Sequence, residues 1–549
     1  MRARCRALAL VLVFAACGAP GPGAPEPGEE PFLPVIGRLP TGNVLDPAGI
    51  SVEVGSLPLA MEISPEGRHA VLLLNGWREQ GVQVVDRFTG RVTQTALQDA
   101  AFLGLAFSPD GRSLYASGGN QDVVYRYDWA DGWMTLRDSV VLAIKRPNRS
   151  GTRYPAQIAF SPDGRFLYVA ENLADSLAVV EVASGRVLAR HATDRYPYGV
   201  AVAPDGTVYV SAWGDWTVSV FRFAADGSAA EAAKVEVARH PSALLLNRDG
   251  SRLFVASGST DRVAVLDTRT RTLVTELLDP PPQGPAEGST PNALALSADG
   301  RRLFVAEADN NAVAVFDLSP GTGGYTAGPG EASAGSAPAR DALVGRIPVE
   351  WYPTALSVRG DSILVANGKG RGTTPNPAFP QPPTRRAEGE PNYTMGQLTG
   401  TLSTVVAARA GAAELAPLTT RVARANGWEG RTSRPADYPP IEHVIYIIKE
   451  NRTYDQVFGD IPAGDGDTAL VFFPRPMSPN HHALAERFGL FDRFFVNAEA
   501  SPDGHNWSMA AYTTDYLQKT VPSNYSARGR TYDWEGTNRG GRIPSEEGE

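Results

Sequence analysis

One phrase recurs along the chain and constrains its fold more than any other feature. It is a polar turn ending in Asp-Gly or Glu-Gly, followed by an apolar, β-rich run. It reads SPEGRHAVLLL from Ser64, SPDGRSLYAS from Ser108 and SPDGRFLYVA from Ser161, then APDGTVYVSA from Ala203, NRDGSRLFVA from Asn247 and SADGRRLFVA from Ser297, with a degenerate copy, SVRGDSILVA, from Ser357. Units spaced roughly 40–60 residues apart have the period of a propeller blade. The glycine supplies the positive φ that a tight turn needs. After it the strand alternates or runs apolar, as in Phe166-Leu167-Tyr168-Val169-Ala170. A third strand follows, such as RVAVLD ending at Asp267 or AVAVFD ending at Asp317, and another precedes each turn, such as ALALS after Pro291-Asn292. Three or four strands per unit, with no helical period, predict antiparallel blades around an axis. The seven copies therefore predict an all-β seven-bladed β-propeller over 35–410, or six or eight blades if one degenerate unit is misread.

The phrase SPDGR-x-LYVA resembles the YVTN-type β-propeller repeat, and the resemblance covers most of this region. Closing the ring requires the first and last blades to share strands, which hides the sheet edges. Either VIGRLP at 35–40 or the strand before Met61 completes the blade built from Ser357 onward and TLSTVV at 401–406. GPGEASAGSAPAR, around 328–340, reads as low-complexity loop. The Gly/Pro-rich, basic stretch from Asn367 reads as surface loop, because Gly368-Lys369-Gly370 lacks the ending and the helix of a phosphate loop. Trp213, Trp216 and Tyr196 read either as a pocket lining or as blade core and rim aromatics.

The N-terminus reads as an address. MRARCR is a basic start and ALALVLVFAAC an apolar run too short to span a membrane, which takes ~20 residues. Phe14-Ala15-Ala16-Cys17 resembles a bacterial lipobox, which implies lipidation of Cys17; the alternative is an ordinary signal peptide cut nearby. Residues 1–17 are thus an expected signal peptide and 18–34 a Pro/Gly linker. Localisation follows: an exported bacterial protein, periplasmic or at the cell surface, touching the membrane by its lipid anchor. Cys5 and Cys17 are the two cysteines and both lie in this segment, so no disulfide or thiol site is expected beyond it. The net charge of −9 argues against non-specific binding to nucleic acid or anionic lipid.

Residues 411–440 read as a helix ending at Asn426-Gly427 and then a Pro-rich connector. Beyond it, HVIYII from His443 has the apolar, β-branched character of a strand buried on both faces of a parallel sheet. Chemistry in such sheets lies just past the strand C-termini, here at Lys449, Glu450 and Asn451. A carboxylate beside a carboxamide offers two hard oxygen ligands for a divalent cation; equally, Glu-Asn is a common strand-end turn. GDIPAGDGD reads as a solvated acidic turn, since Asp460, Asp465 and Asp467 lack EF-hand spacing. SPNHHALAERF reads as a helix with Ser478 as N-cap, and His481 and His482 near its start either face the site or cap the surface. LFDRFFVNAE reads as a second buried strand, and SMAAYTTDYLQK as a helix opening near Ser508.

The run IKENRTYDQVFGD resembles the opening signature of the phosphoesterase family that includes bacterial phospholipases C and acid phosphatases, within the alkaline-phosphatase superfamily. The resemblance implies that residues 441–549 are the N-terminal part of a truncated α/β domain, with Glu450 and Asn451 binding a divalent metal ion. It places a nucleophile in FGLFDRFFVNAEASPDGHNWS, where Ser501 is the best match and Ser508 the reserve. His505 would hydrogen-bond the phosphate or the leaving group. The implied function is metal-dependent hydrolysis of phosphate esters by a serine nucleophile. The alternative is a non-catalytic, surface-binding propeller lipoprotein carrying a remnant of that domain.

Overall fold

In a computed structural model, which describes residues 38–146, 149–282, 288–324, 340–372, 394–429, 440–494, 496, 498–526 and 528, the strands pair with their neighbours in sequence into seven four-stranded sheets. Six blades span 58–97, 105–141, 155–192, 197–236, 241–278 and 291–348. The seventh combines three strands from 351–406 with Ile50–Val54, which pairs antiparallel with Gly400–Val406 in the register Val52↔Leu402. The ring is thus closed by the strand before Met61. Residues 35–37 of VIGRLP lie outside the described residues, and Arg38 makes an isolated bridge to Val44. The first strands of successive blades touch in cyclic order and line the central channel.

The repeated phrase has a local cause. Within SPDG the glycine N–H donates back to the residue three before it, at 2.8 Å for Gly111 to Ser108 and 2.9 Å for Gly164 to Ser161. Proline suits the second position of such a turn and glycine the fourth, and Gly111 and Gly164 have φ of +70° and +71°. The serine hydroxyl donates to the aspartate two residues on, at 2.6 Å for Ser108 to Asp110. In most blades the two strands that follow are buried on both faces, whereas the last strand faces solvent; Ala342–Pro348, the last strand of the sixth blade, is largely buried. Apolar clusters therefore sit between blades. Met61, Leu72 and Leu74 of the first meet Leu364, Ala366 and Leu402 of the seventh, with Val54 from the closing strand among them. Sealing the ring and packing this cluster are one event.

Helix α1, Ala412–Ala425, lies against the outer strand Ala342–Pro348 through Leu415. Its Arg421 pairs with Asp46 at 2.7 Å, pinning the segment before the closing strand. The residues expected to be surface loop at 368–370 instead extend the strand Ser362–Gly370, and all three are buried.

The largest corrections fall after residue 440. HVIYII forms no strand, and Val444 and Ile445 are 79% and 87% exposed. LFDRFFVNAE likewise forms no strand among the described residues, and Phe491 and Phe494 are exposed. A strand needs a neighbour for its backbone groups, and no described strand pairs with either run. Among the described residues this region is helical: α2 (Tyr454–Phe458), α3 (Pro479–Phe488), α4 (Ser501–Ala510) and α5 (Asp515–Tyr525). No alkaline-phosphatase-like sheet is present among them. The leader, Cys17 and the linker to residue 34 lie outside the described residues.

Leu72 is fully buried in the closure cluster, whereas Leu97 on an outer strand is 70% exposed. Leu72→Ala should cost about 2–5 kcal/mol and Leu97→Ala less than about 0.5 kcal/mol, read from denaturant midpoints.

Candidate functional site

The chemistry-bearing residues collect at one mouth of the channel. Leu57, Tyr154, Tyr196, His240, Thr290 and Tyr352 each stand immediately before a proline that opens or lies at the start of an inner strand, and each has positive φ, from 49° to 63°. Non-glycine residues rarely adopt this backbone. Here it recurs blade after blade, so the ring is a designed feature of the repeat. All six side chains are buried. The X-Pro step was visible in the sequence, but the Asp-Gly phrase masked it as a signal.

Helix α5 is seated on this ring, and side chains from all seven blades meet it or Tyr512, three residues before it. Asp515 accepts from Asn292 Nδ2 at 2.9 Å and Tyr352 Oη at 2.8 Å, and its other oxygen lies 2.6 Å from Lys519 Nζ. Tyr516 Oη donates to Asn172 Oδ1 at 2.5 Å. Its ring centroid lies 4.5 Å from that of Trp213 and 6.3 Å from that of Phe102. Asn75 Nδ2 donates to the Lys519 carbonyl at 3.1 Å and Gln80 Nε2 to Ser523 Oγ at 3.1 Å. Ser259 shares a 2.5 Å hydrogen bond with Tyr512. A helix whose polar groups are buried this completely is held by direction as well as area, since each unmatched group would cost ~1–3 kcal/mol. Burial, and next the Asp515 carboxylate, hold the Tyr198 and Tyr352 hydroxyls well above their ordinary range, so both stay protonated. Of the aromatics singled out in the sequence, Trp213 and Tyr196 pack at the mouth and Trp216 is half exposed.

Behind α5 the channel holds a cavity of about 170 Å³, with Lys519, Glu62, Gln157, Ser242 and Thr354 among its walls. Burial pushes the Glu62 carboxyl up to about 7, against the opposing pull of Arg359.

The residues expected to be catalytic lie beside this assembly. Ser501 is the first residue of α4, not part of a loop, and Ser508 sits inside the helix rather than at its start. The expected helix from Ser508 is interrupted at Ala511, whose φ is +54°. His505 Nε2 lies 3.2 Å from Glu450 Oε1. Ser501, His505 and Ser508 recur at i, i+4 and i+7, one stripe of the helix. The structure thus joins Glu450 to the serine-bearing face, while Asn451 is exposed nearby. Asp503 accepts the N–H groups of Glu499 at 3.2 Å and Ala500 at 3.1 Å, capping α4. Burial first, then the Glu499 charge, push its carboxyl up to about 7. Lys449 Nζ lies 2.9 Å from His481 Nε2. His482, fully buried, lies 2.7 Å from Asp460, so it ties a turn to α3 instead of capping the surface. Asp465 pairs with Arg493, and Asp467 accepts from Ala469 N–H at 2.8 Å.

Glu450 and Asn451 have the oxygen chemistry a hard cation takes. Among the described residues, however, no group of three or more His, Cys, Asp or Glu side chains is arranged to hold a metal ion. The donors present fall short of a complete site, and no step below passes through a metal.

The family described as Lactonase, 7-bladed beta-propeller, matches residues 104–196. No curated protein matches the chain. Among solved structures, hydrazine synthase of Kuenenia stuttgartiensis is 19% identical, with a TM-score of 0.45 over 58% of this chain and 94% of its own. Virginiamycin B lyase of Staphylococcus aureus is 13% identical, with a TM-score of 0.44 over 64% of this chain and 99% of its own. The periplasmic gluconolactonase of Pseudomonas aeruginosa is 22% identical, with a TM-score of 0.41 over 48% and 82%. The fold is a seven-bladed β-propeller.

Two outcomes are expected. Tyr516→Ala should loosen α5 from the mouth by about 3–5 kcal/mol, seen in limited proteolysis as new cleavage between residues 511 and 528 while the blades stay intact. A raised carboxyl pKa favours the protonated folded state, so Glu62 contributes stability in full below its ordinary 4.5 and loses it as pH rises through about 7. Glu62→Gln should flatten the fall in denaturation midpoint across that window.

Proposed function

We propose that the chain is an exported hydrolase of phosphate esters with Ser501 as nucleophile. One observation carries the reading: Glu450, from the ENRTYD motif, contacts His505 one helical turn from Ser501 at the start of α4. A serine hydroxyl is a weak nucleophile at neutral pH until a base takes its proton. Glu450 at Nε2 would fix the His505 tautomer, leaving Nδ1 free to accept that proton. Ser501 Oγ would then bond to phosphorus as the ester P–O bond breaks. The departing alcohol recovers the proton from His505, and water hydrolyses the phosphoseryl intermediate. The N-terminal N–H groups of α4 favour the negative phosphoryl group. The substrate would be a phosphomonoester or a phospholipid head group, met outside the cytoplasm.

A second reading, hydrolysis of a lactone in the propeller channel, is favoured by the match over residues 104–196. It requires access that α5 covers on one side.

Hydrolysis of p-nitrophenyl phosphate tests the first reading. Ser501→Ala should lower kcat by about three orders of magnitude or more, and His505→Ala by about 10²–10⁴. Full activity in Ser501→Ala, or lactone opening with no phosphatase activity, would overturn it.

A further inference from the structure

Lys369 links the propeller to the helix that carries Ser501. It lies near the end of the seventh blade's strand Ser362–Gly370 and is 5% exposed. Its ammonium donates to both oxygens of Glu499, at 2.9 and 3.1 Å, and to Gln518 Oε1 of α5 at 2.5 Å. It stands 5.0 Å from the centroid of Trp351 and 5.4 Å from that of Tyr352. Glu499 is two residues before Ser501, and its backbone N–H is held by Asp503 in the first turn of α4. One side chain therefore joins the propeller rim, the approach to α4 and the docked helix α5.

From this geometry we propose that Lys369 is a positioning residue for hydrolysis at Ser501, fixing the start of α4 against the propeller so that the nucleophile faces its substrate. The proposal rests on the phosphoesterase reading above. A buried ion pair is weak as a source of stability, because desolvating both charges offsets their attraction. It does fix direction: the ammonium is held between a carboxylate, an amide oxygen and two aromatic faces, and leaves α4 little freedom to slide. Displacing a reacting group by ~1 Å can cost ~100-fold in rate. The propeller would then be part of the catalytic geometry of a domain it carries, and not an independent module.

Steady-state p-nitrophenyl phosphate hydrolysis by the full chain tests this with four variants. Ser501→Ala reports on the reading itself, and its retained activity would overturn both the reading and this proposal. With that variant inactive, Lys369→Met should lower kcat about 10–100-fold while KM changes less than about twofold, and Lys369→Arg, which keeps the cation, should recover most of the loss. An unchanged kcat in Lys369→Met would overturn the proposal and leave the hydrolase reading standing. Because Lys369→Met strands a buried Glu499 charge, the double variant Lys369→Met/Glu499→Leu guards against simple misfolding. It should melt near the wild type and still show the lowered kcat. Wild-type kcat in the double variant would overturn the positioning role.

Discussion

Pairing of Ile50–Val54 with Gly400–Val406 is the constraint on which the rest depends. It joins residues 350 positions apart in the chain, such as Val52 and Leu402. Without it the first and seventh blades would each present an open face, and the cluster around Leu72 and Leu364 would be exposed to water. Loop closure across so many residues is slow and entropically costly. Once made, it fixes the diameter of the channel, because the inner strands then touch in an unbroken cycle. The ring of pre-proline residues inherits its spacing from that cycle.

The mouth defined by this ring is chemically unusual for a docking site inside one chain. Its partner, α5, is not an apolar plug. Asp515, Gln518, Lys519, Thr520 and Ser523 are all buried there, and the propeller supplies asparagine and tyrosine groups to Asp515, a lysine to Gln518 and a glutamine to Ser523. Apolar area alone would let such a helix rotate or slide, whereas directional bonds to opposite sides of the ring hold one orientation. Lys369 extends the same logic from α5 to the start of α4. The coupling is therefore mechanical: closure sets the ring, the ring sets α5, and Lys369 ties α5 to the approach to the helix that carries Ser501.

The sequence made the blades readable because their signal is local. Ser108-Pro109-Asp110-Gly111 fixes its own turn through one serine hydroxyl and one glycine, and the strand after it is apolar on both faces. The closing strand ISVEV was less readable, since its partner is remote and its own pattern is half polar. The run HVIYII misled for a related reason. Its composition is that of a buried strand, but a strand exists only with a neighbour, and none of the described residues supplies one. The docked helix was not legible either. DYLQKTVPSNY mixes apolar and polar residues along its buried side, because the surface it meets mixes aromatic rings with polar groups. Glu450 and His505 were both named from the sequence as candidates, yet their contact joins residues 55 apart and needed the structure to appear.

Amide hydrogen exchange across residues 511–528 of the full chain tests the central claim most directly, that the propeller mouth holds α5 and through it the serine helix. Docking as described expects the α5 amides to exchange as slowly as those of inner strands such as Pro197–Val202. Exchange of α5 at the rate of an isolated, solvent-exposed helix, with the blades still protected, would contradict it.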